Sequence, residues 1–307
     1  MTESEQGSPD RPALRSETPS VPDLTPWLAR RATVRQFDTD AKIPDKEVRE
    51  IVDAGRKAPT SGTVQMYSFV WIRSQSLRKR IHDLCDRGTE QIEDASHFLL
   101  VCIDLRRVRL LLEHRDRDFQ ITPTMGLLEG AIDASLAAMG TMAAAESCGY
   151  GVCPIGNILN DLPGIAAAAD VPEGVLPIYG LCIGVPRHDE AAENAPRVPL
   201  EAMLHDAEYR DPSEDLLDEC YDVMNEMYGD SVYGDATREW QGTLERYWGP
   251  DGFMNRREGT LLSALRRQGF FAVRGVHEPA DGDGRGEDDN NGDEYGEEDD
   301  KGDVTQT

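Results

Sequence analysis

The segment TMGLLEGAIDASLAAMGTMAAAESCGYGVCPIG, residues 124–156, sets the framework of this chain. Its first part is rich in Ala, Leu and Met and predicts one long helix from Thr124 to Cys148, in which the glycines would permit close packing. Gly149 and Gly151 are expected to end this helix, because glycine readily adopts the left-handed backbone found after helix C-termini. A short strand, Val152–Ile155, is predicted directly afterwards.

Outside this segment, predicted strands and amphipathic helices alternate along the chain. Residues 97–104, HFLLVCID, form a continuous apolar run and predict a strand that is buried on both faces. Residues 67–73, YSFVWIR, are rich in aromatic and branched side chains, which favour strands. This alternation predicts an α/β or α+β domain whose sheet is covered by helices on both faces. The other predicted elements are a strand at Val175–Gly184 and helices at Thr25–Arg31, Pro44–Ala58, Ser76–Cys85, Asn160–Ala169, Asp215–Met227, Thr237–Trp248 and Arg257–Gln268.

The two ends of the chain differ in composition from its middle. Residues 1–22 are rich in Ser, Pro and acidic residues, and the residues from Pro279 onward are dominated by Asp, Glu, Gly and Asn. Neither end holds enough apolar side chains to bury a core, so both are predicted to be disordered. We therefore divide the chain into an N-terminal segment 1–22, one folded domain 23–274 and an acidic tail 275–307.

The charge balance limits the possible partners. The chain has 58 acidic and 32 basic residues, a net charge of −26, whereas nucleic-acid binding requires a basic face. The longest apolar run, Phe98–Ile103, is far too short to span a membrane, and the N-terminus shows no apolar signal core. The cysteines form no CxxC pair, which is typical of a reducing compartment. We predict a cytoplasmic protein without nucleic-acid or membrane partners.

Two polar motifs flank the predicted helix Pro44–Ala58. The first, RRATVRQF at residues 30–37, places Arg31 and Arg35 four residues apart, a spacing that can put both guanidiniums on one side of a turn. Arginine binds phosphate through paired hydrogen bonds. The second, APTSGTVQ at residues 58–65, combines small hydroxyls, glycine and an amide. Together they favour a phosphorylated ring cofactor, and the alternatives are a solvated basic helix end and a plain connecting loop.

The order and spacing of these motifs resemble the nitroreductase superfamily of FMN-dependent NAD(P)H oxidoreductases. The most specific further pieces are AAAESCGYGVCPIG, residues 143–156, and VLPIYGLCIGVP, residues 175–186. The resemblance covers about Leu24 to Phe270 and is greatest to the larger, NADPH-preferring nitroreductase and flavin reductase branch. It implies an α+β sandwich with a central, mostly antiparallel sheet flanked by helices. It also implies an obligate homodimer with its FMN sites at the subunit interface.

The resemblance also assigns roles to individual residues of the cofactor site. Cationic and hydroxyl groups would hold the FMN phosphate and the polar ring edge, and a small-residue loop would line the ribityl chain. The residues so implied are Arg31, Thr33, Arg35 and Arg197 for the phosphate and ring edge, Thr60, Ser61 and Gly62 for the ribityl chain, Gln65 for a ring edge, and the backbone of Ile155 and Gly156 near the flavin N5.

Four further positions concern the substrates or depart from the family pattern. Thr89 falls where relatives place a Gln that touches flavin or substrate. Arg238 lies near, though slightly out of register with, an Arg that reads the 2′-phosphate of NADPH. Arg257, paired with Arg256, would line the pocket mouth, unless the two only begin a surface helix. Ala195 stands where the family has a phosphate-binding Lys.

The implied activity is a ping-pong reaction. NAD(P)H, as NADPH or NADH, would reduce the flavin and leave, and a small-molecule acceptor such as a nitroaromatic compound, a quinone or a free flavin would then take the electrons. Catalytic side chains and a metal are not required, because the cofactor carries the chemistry. Two alternatives remain open: a flavin-destroying or dehalogenating member of the superfamily, and a non-catalytic or regulatory flavin-binding protein.

The basic residues are strongly skewed, since only five of them are Lys, and an acidic, Lys-poor composition is typical of halophilic proteins. Concentrated salt screens the mutual repulsion of surface carboxylates. We therefore expect the melting temperature to rise as KCl is increased from low to molar concentration. Thermal unfolding at a series of KCl concentrations tests this, and a melting temperature that is flat or falls with KCl contradicts it.

Overall fold

The computed structural model describes residues 28, 31–86, 88–120, 122–187, 196–229 and 239–271. The segment 1–22, the tail 275–307 and most of the predicted helix Thr25–Arg31 lie outside these residues. The strands are β1 (Tyr67–Ile72), β2 (His97–Asp104), β3 (Gly151–Ile155) and β4 (Val175–Gly184). The α-helices are α1 (Asp45–Gly55), α2 (Gln75–Cys85), α3 (Gln91–Asp94), α4 (Leu105–Glu113), α5 (Pro123–Ser147), α6 (Leu162–Ala168), α7 (Glu214–Gly229), α8 (Trp240–Trp248) and α9 (Phe253–Arg267).

The four strands form one sheet in the order β1-β2-β4-β3, and every neighbouring pair is antiparallel. Strand β2 lies inside the sheet and is buried along its whole length, as its continuous apolar run predicts. Its pairing with β4 shifts register between Val101 and Cys102, which is a local bulge. The antiparallel order confirms the α+β class and excludes a parallel α/β sheet. The dimer that the resemblance implies stays a prediction.

Each face of the sheet packs against its own group of helices. Phe98 and Leu100 of β2 belong to one apolar cluster, together with buried residues of α2, α6 and α9. The alternate residues Leu99 and Val101 belong to a second cluster with α1 and α5. Successive side chains of a strand point to opposite faces, so β2 contributes to both layers. The result is a three-layer arrangement in which the sheet lies between two helical layers.

Helix α5 is the predicted long helix, and it crosses α1 at very short range. A Cβ atom placed on Gly55 of α1 would lie 2.1 Å from Thr141 Oγ1 and 2.6 Å from the Thr141 backbone nitrogen. A Cβ on Gly140 would lie 2.8 Å from the Gly55 carbonyl oxygen. Only glycine permits these backbones to approach so closely. The two helices can therefore share one thin apolar layer over β1 and β2.

Several predicted boundaries are wrong. The predicted helix Pro44–Ala58 ends at Gly55, and the predicted helix Arg257–Gln268 begins earlier, at Phe253. Helix α4 was not predicted at all. Its start follows from Asp104, whose side chain accepts a hydrogen bond from the Arg107 backbone nitrogen and caps the first turn.

All six cysteines lie among the described residues, and all are free thiols. Five are buried, and Cys148 is exposed. Burial raises the pKa of the Cys85 thiol to about 12, which keeps it protonated and unreactive at neutral pH. The buried cysteines therefore act as small core residues.

We expect Gly55→Ala to destabilise the protein by about 1–3 kcal/mol, because the new methyl group would collide with the Thr141 backbone and hydroxyl. The matched control is Gly259→Ala, since a Cβ at Gly259 on α9 would meet nothing within 4 Å. This control should leave stability unchanged or raise it by up to ~1 kcal/mol through helix propensity. Denaturant unfolding of both variants decides, and equal stability of the two would contradict the close contact of α1 and α5.

Candidate functional site

The segment 31–38 is not helical but lies along the end of the sheet. The Val34 backbone nitrogen donates to the Val152 carbonyl of β3 at 3.0 Å, and the Asp38 nitrogen donates to the Val185 carbonyl at 2.8 Å. Val34 is buried, whereas the neighbouring Arg35 is exposed. The sheet therefore holds this segment in place with Arg35 directed to the surface and Thr33 partly exposed.

Arg31 has a different environment from Arg35. Its Nε lies 3.5 Å from Glu146 Oε1 near the end of α5, and the two side chains are only 17% and 11% exposed. Its Nη2 also lies 4.0 Å from Met142 Sδ, one turn earlier on α5. The guanidinium of Arg31 is thus paired with a nearly buried carboxylate, whereas Arg35 is exposed, and the phosphate clamp expected of the two arginines stays a prediction.

The loop after α1 presents the predicted hydroxyl and amide groups at the surface. Ser61, Gly62 and Gln65 are exposed, and Thr60 is half-buried. The backbone takes left-handed φ angles of 52° at Gly62, 58° at Thr63 and 58° at Gln65. The Ser61 and Gln65 side chains thus stand on an unusual, tightly turned backbone.

Asp133 of α5 holds this loop from the protein interior. Its side chain is fully buried, and its two carboxylate oxygens accept backbone hydrogen bonds from Ser61 and Met66, both at 2.9 Å. No motif in the sequence points to Asp133. The available signal was one acidic residue on the helix face that buries Gly130, Ala134 and Ala137.

Arg107 of α4 holds the same loop from its other side. Its Nη2 donates to the Tyr67 carbonyl at 2.8 Å and also to the Gln65 carbonyl. Asp104 orients this guanidinium, since its Oδ1 caps the Arg107 nitrogen at 2.8 Å and its Oδ2 lies 3.7 Å from Arg107 Nε. On one side of the loop Arg107 therefore donates to backbone carbonyls, and on the other side Asp133 accepts from backbone amides.

The turn after β3 leaves free space beside it. Ile155 is buried at the end of the strand, and Gly156 is exposed. A Cβ atom built on Gly156 would meet no heavy atom within 4 Å. A flat group could therefore approach the backbone closely at this point.

Next to this turn is a cavity of about 590 Å³ with polar and aromatic walls. Arg257 Nε donates to Asn160 Oδ1 at 2.9 Å, and its guanidinium carbon lies 4.6 Å from the centre of the Phe253 ring. Burial lowers the pKa of Arg257, but an arginine remains charged at neutral pH. The lining residues are Leu84, Asp86, Asn157, Asn160, Arg246, Tyr247, Phe253, Arg256 and Arg257. Three cations beside two aromatic rings suit an anionic ligand with a flat ring.

The remaining predicted site residues lie elsewhere. Thr89 is 1% exposed, and its hydroxyl donates to the Asp86 carbonyl at 3.2 Å, so no ligand can touch it in this conformation. Arg197 is exposed, with Nη1 donating to the Pro196 carbonyl at 3.0 Å. Arg238 and Ala195 lie outside the described residues. Arg246, which the sequence analysis missed, joins the cavity through the folding of α8 against α9.

Among the described residues, no group of His, Cys, Asp and Glu is arranged to hold a metal ion. The same residues include no helix that is both long and apolar enough to cross a membrane.

Residues 28–185 match the model of the nitroreductase family. The chain belongs to that family. The matched region contains the 31–38 segment, the 60–66 loop and the whole sheet, and the membership expected from the motifs is thereby confirmed. The match ends before α7, α8 and α9. The assignment of residues of α8 and α9 to the cavity therefore rests on the structure of this chain and not on the family match.

Similar proteins extend beyond the matched region. An NADPH-dependent oxidoreductase of Staphylococcus aureus strain N315 is 27% identical over 249 residues, which cover 80% of this chain and 96% of that protein. The NfrA1 nitroreductase from B. subtilis shares 25% identity with a TM-score of 0.70, over 78% of this chain and 96% of its own. The NADPH:FMN oxidoreductase from Vibrio harveyi, solved with NAD+, shares 26% identity with a TM-score of 0.64, over 78% and 94%.

Proposed function

We propose that this nitroreductase-family chain is an NAD(P)H-dependent oxidoreductase that binds FMN and reduces a small acceptor, such as a nitroaromatic compound, a quinone or a free flavin. The observation that carries the proposal is the family match over residues 28–185, because it contains both predicted cofactor-binding segments. The likeness to an NADPH:FMN oxidoreductase over 78% of this chain supports the choice of cofactor.

The residues of this chain fit FMN in three respects. Arg35 is exposed beside β3, where a guanidinium can pair with a phosphate or with the polar ring edge. The loop 60–65 presents hydroxyl and amide groups that can bond a polyhydroxylated chain and a ring edge. Gly156 leaves open space against the backbone for a flat ring. Bound FMN would supply the hydride-accepting chemistry, and the chain would bind, orient and shield it.

The cavity beside Gly156 is the proposed site for the nicotinamide nucleotide and the acceptor in turn. Arg246 and Arg256 would meet the anionic phosphates, and Tyr247 and Phe253 would pack against a ring. Because one cavity would take both substrates, we expect ping-pong kinetics. Arg257 donates hydrogen bonds through Nε to Asn160 and through Nη2 to Asn157, and these bonds fix its position in the cavity wall.

Arg35→Ala should weaken FMN binding by ~1.5–3 kcal/mol, because charge-assisted hydrogen bonds to the cofactor would be lost. Fluorescence titration of the apoprotein with FMN measures this. The matched control is Arg80→Ala, an exposed arginine on α2, which should bind FMN like the wild type. A wild-type protein that takes up no FMN would overturn the proposed function.

Arg31→Ala tests the structural role of Arg31. It removes the cation beside the nearly buried Glu146 carboxylate, so it should lower the free energy of unfolding of the apoprotein. The control Arg80→Ala, at an exposed position of α2, should change the free energy of unfolding by no more than ~0.5 kcal/mol. Equal stability of these two variants would contradict the role of the ion pair between Arg31 and Glu146.

Arg256→Ala should raise the KM for NADPH and leave the KM for NADH nearly unchanged, if this exposed cation meets the 2′-phosphate. The contact would exist in both ground and transition states, so kcat should barely move. Arg266→Ala, on the same helix α9 but outside the cavity lining, is the control. Equal effects of Arg256→Ala on both nucleotides would remove Arg256 from nucleotide selection.

We also propose that two copies of the chain associate through α5. Its buried face packs on the sheet, whereas its opposite face carries an apolar stripe in which each side chain is 40–52% exposed. Asp133 and Glu146, which anchor the two predicted cofactor segments, are ~20 Å apart along α5 at its rise per residue. A partner copy packed on this face could bring its own cofactor segments next to those of the first copy. The stripe consists of Met125, Leu128, Ile132 and Leu136.

Ile132→Glu should therefore shift the protein from dimer to monomer, because a carboxylate would be buried in an apolar contact. Leu217→Glu, at a similarly exposed leucine of α7, is the control. Sedimentation velocity at micromolar concentration distinguishes the species. A wild-type protein that sediments as a monomer would contradict association through α5.

A further inference from the structure

The loop between α1 and β1 has a backbone that needs external support. Gly62, Thr63 and Gln65 all have φ between 52° and 58°. Glycine takes this conformation freely, but a Cβ atom makes it unfavourable at Thr63 and Gln65. Within the loop, the Thr63, Val64 and Tyr67 nitrogens donate to the Thr60, Ser61 and Gln65 carbonyls at 3.4, 2.9 and 2.8 Å, and Gln65 Nε2 donates to the Thr63 carbonyl at 3.2 Å. Hydrogen bonds of this kind occur in many ordinary turns and do not by themselves hold Thr63 and Gln65 in the left-handed region.

The support comes from one carboxylate below the loop. Asp133 accepts the backbone hydrogen bonds of Ser61 and Met66, which flank residues 62–65, and each bond is 2.9 Å long. Because Asp133 has no exposed surface, these bonds form in a medium that strengthens them, and the buried charge is stabilised by them in return. The distance between the Ser61 and Met66 nitrogens is thereby set by the separation of the two carboxylate oxygens of Asp133.

The opposite side of the loop is fixed by Arg107. Its guanidinium donates to the carbonyls of Gln65 and Tyr67, and Asp104 orients it. Asp133 therefore binds the amides that point inward, while Arg107 binds the carbonyls that point outward. Between these two groups the side chains of Ser61 and Gln65 remain exposed.

We infer that Asp133 is the positioning residue of the cofactor-binding loop. By joining the amides of Ser61 and Met66, it holds residues 60–65 in one conformation, with Gly62, Thr63 and Gln65 left-handed, before the cofactor arrives. The exposed hydroxyl and amide groups are then already in place, and little conformational entropy is lost on binding. This inference rests on the proposed function, since it assumes that the loop lines the FMN site.

Asp133→Asn is the decisive variant, because it keeps the size of the side chain but replaces one acceptor oxygen by a donor NH2 that faces an amide N–H. FMN affinity should fall by ~10-fold or more, with a faster dissociation rate. In the apoprotein, hydrogen exchange at Ser61 and Met66 should accelerate by ~10-fold or more, the factor that a lost hydrogen bond allows. The amides of strand β2 should keep their wild-type exchange rates. A general loss of stability would accelerate exchange there as well, so these amides distinguish a local effect on the loop from a global one.

Glu129→Gln, one turn earlier on α5, removes the same charge and should leave FMN affinity and loop exchange unchanged. Arg107→Met should release the Gln65 carbonyl, which also accepts from the Tyr67 nitrogen at 2.8 Å, and so accelerate exchange of the Tyr67 amide and weaken FMN binding while the Ser61 amide stays protected. The wild-type apoprotein gives a test that needs no variant, since its Ser61 and Met66 amides should exchange slowly without FMN. Fast exchange there would overturn the inference, and so would an Asp133→Asn protein with wild-type FMN affinity.

The outcomes separate this inference from the proposed function. A wild-type protein that does not bind FMN, yet protects both amides, would refute the FMN proposal and with it the role of Asp133 toward FMN. A wild-type protein that binds FMN, with an Asp133→Asn variant that binds it equally well, would refute only the positioning role.

Discussion

The close contact of α5 with the sheet and with α1 is the constraint on which the rest of the structure depends. Glycines at positions 55 and 140 let the two helices meet at backbone distance, and Gly130 lets α5 lie directly on Ile103 of β2. At this separation a short side chain such as Asp133 can reach the backbone of the loop after α1. A larger separation between the layers would leave that carboxylate buried without its two amide partners, which is a costly arrangement.

Helix α5 serves the candidate site at two places. Near its middle, Asp133 fixes the loop 60–66, and near its end, Glu146 pairs with Arg31 and holds the segment that carries Arg35. Both anchors are carboxylates in a helix whose other buried residues are mostly small and apolar. Rigid attachment of binding segments to a packed helix is what a preorganised site requires. The exposed groups that would touch a ligand can then be short and flexible residues of loops.

The charge distribution gives the site a character that the chain as a whole does not have. The protein carries a net charge of −26, yet Arg246, Arg256 and Arg257 line one cavity and Arg35 is exposed at the end of the sheet. Arginine is suited to this role because its charge is permanent. Its planar guanidinium binds a phosphate through two parallel hydrogen bonds and stacks on aromatic rings. Local cations within an acidic surface attract anionic ligands while the overall charge favours solubility.

The sequence by itself determined the long helix, the doubly buried strand β2 and the order of motifs that identifies the nitroreductase family. These features depend on periodicity and on glycine spacing, which are local properties of the chain. It also predicted which loop would expose hydroxyl and amide groups. Helix α4 was missed although its start is visible in the sequence as Asp104, whose side chain caps the first turn.

Only the tertiary structure decided which polar residues meet. Asp133 bonds residues that are 72 and 67 positions away, and Arg257 bonds Asn160 at a separation of 97. The packing of the 31–38 segment on β3 also brings Arg31 to Glu146, a partner that no local motif predicts. Such partners depend on how helices settle on the sheet, and that placement is set by side-chain volume across the core rather than by any local pattern.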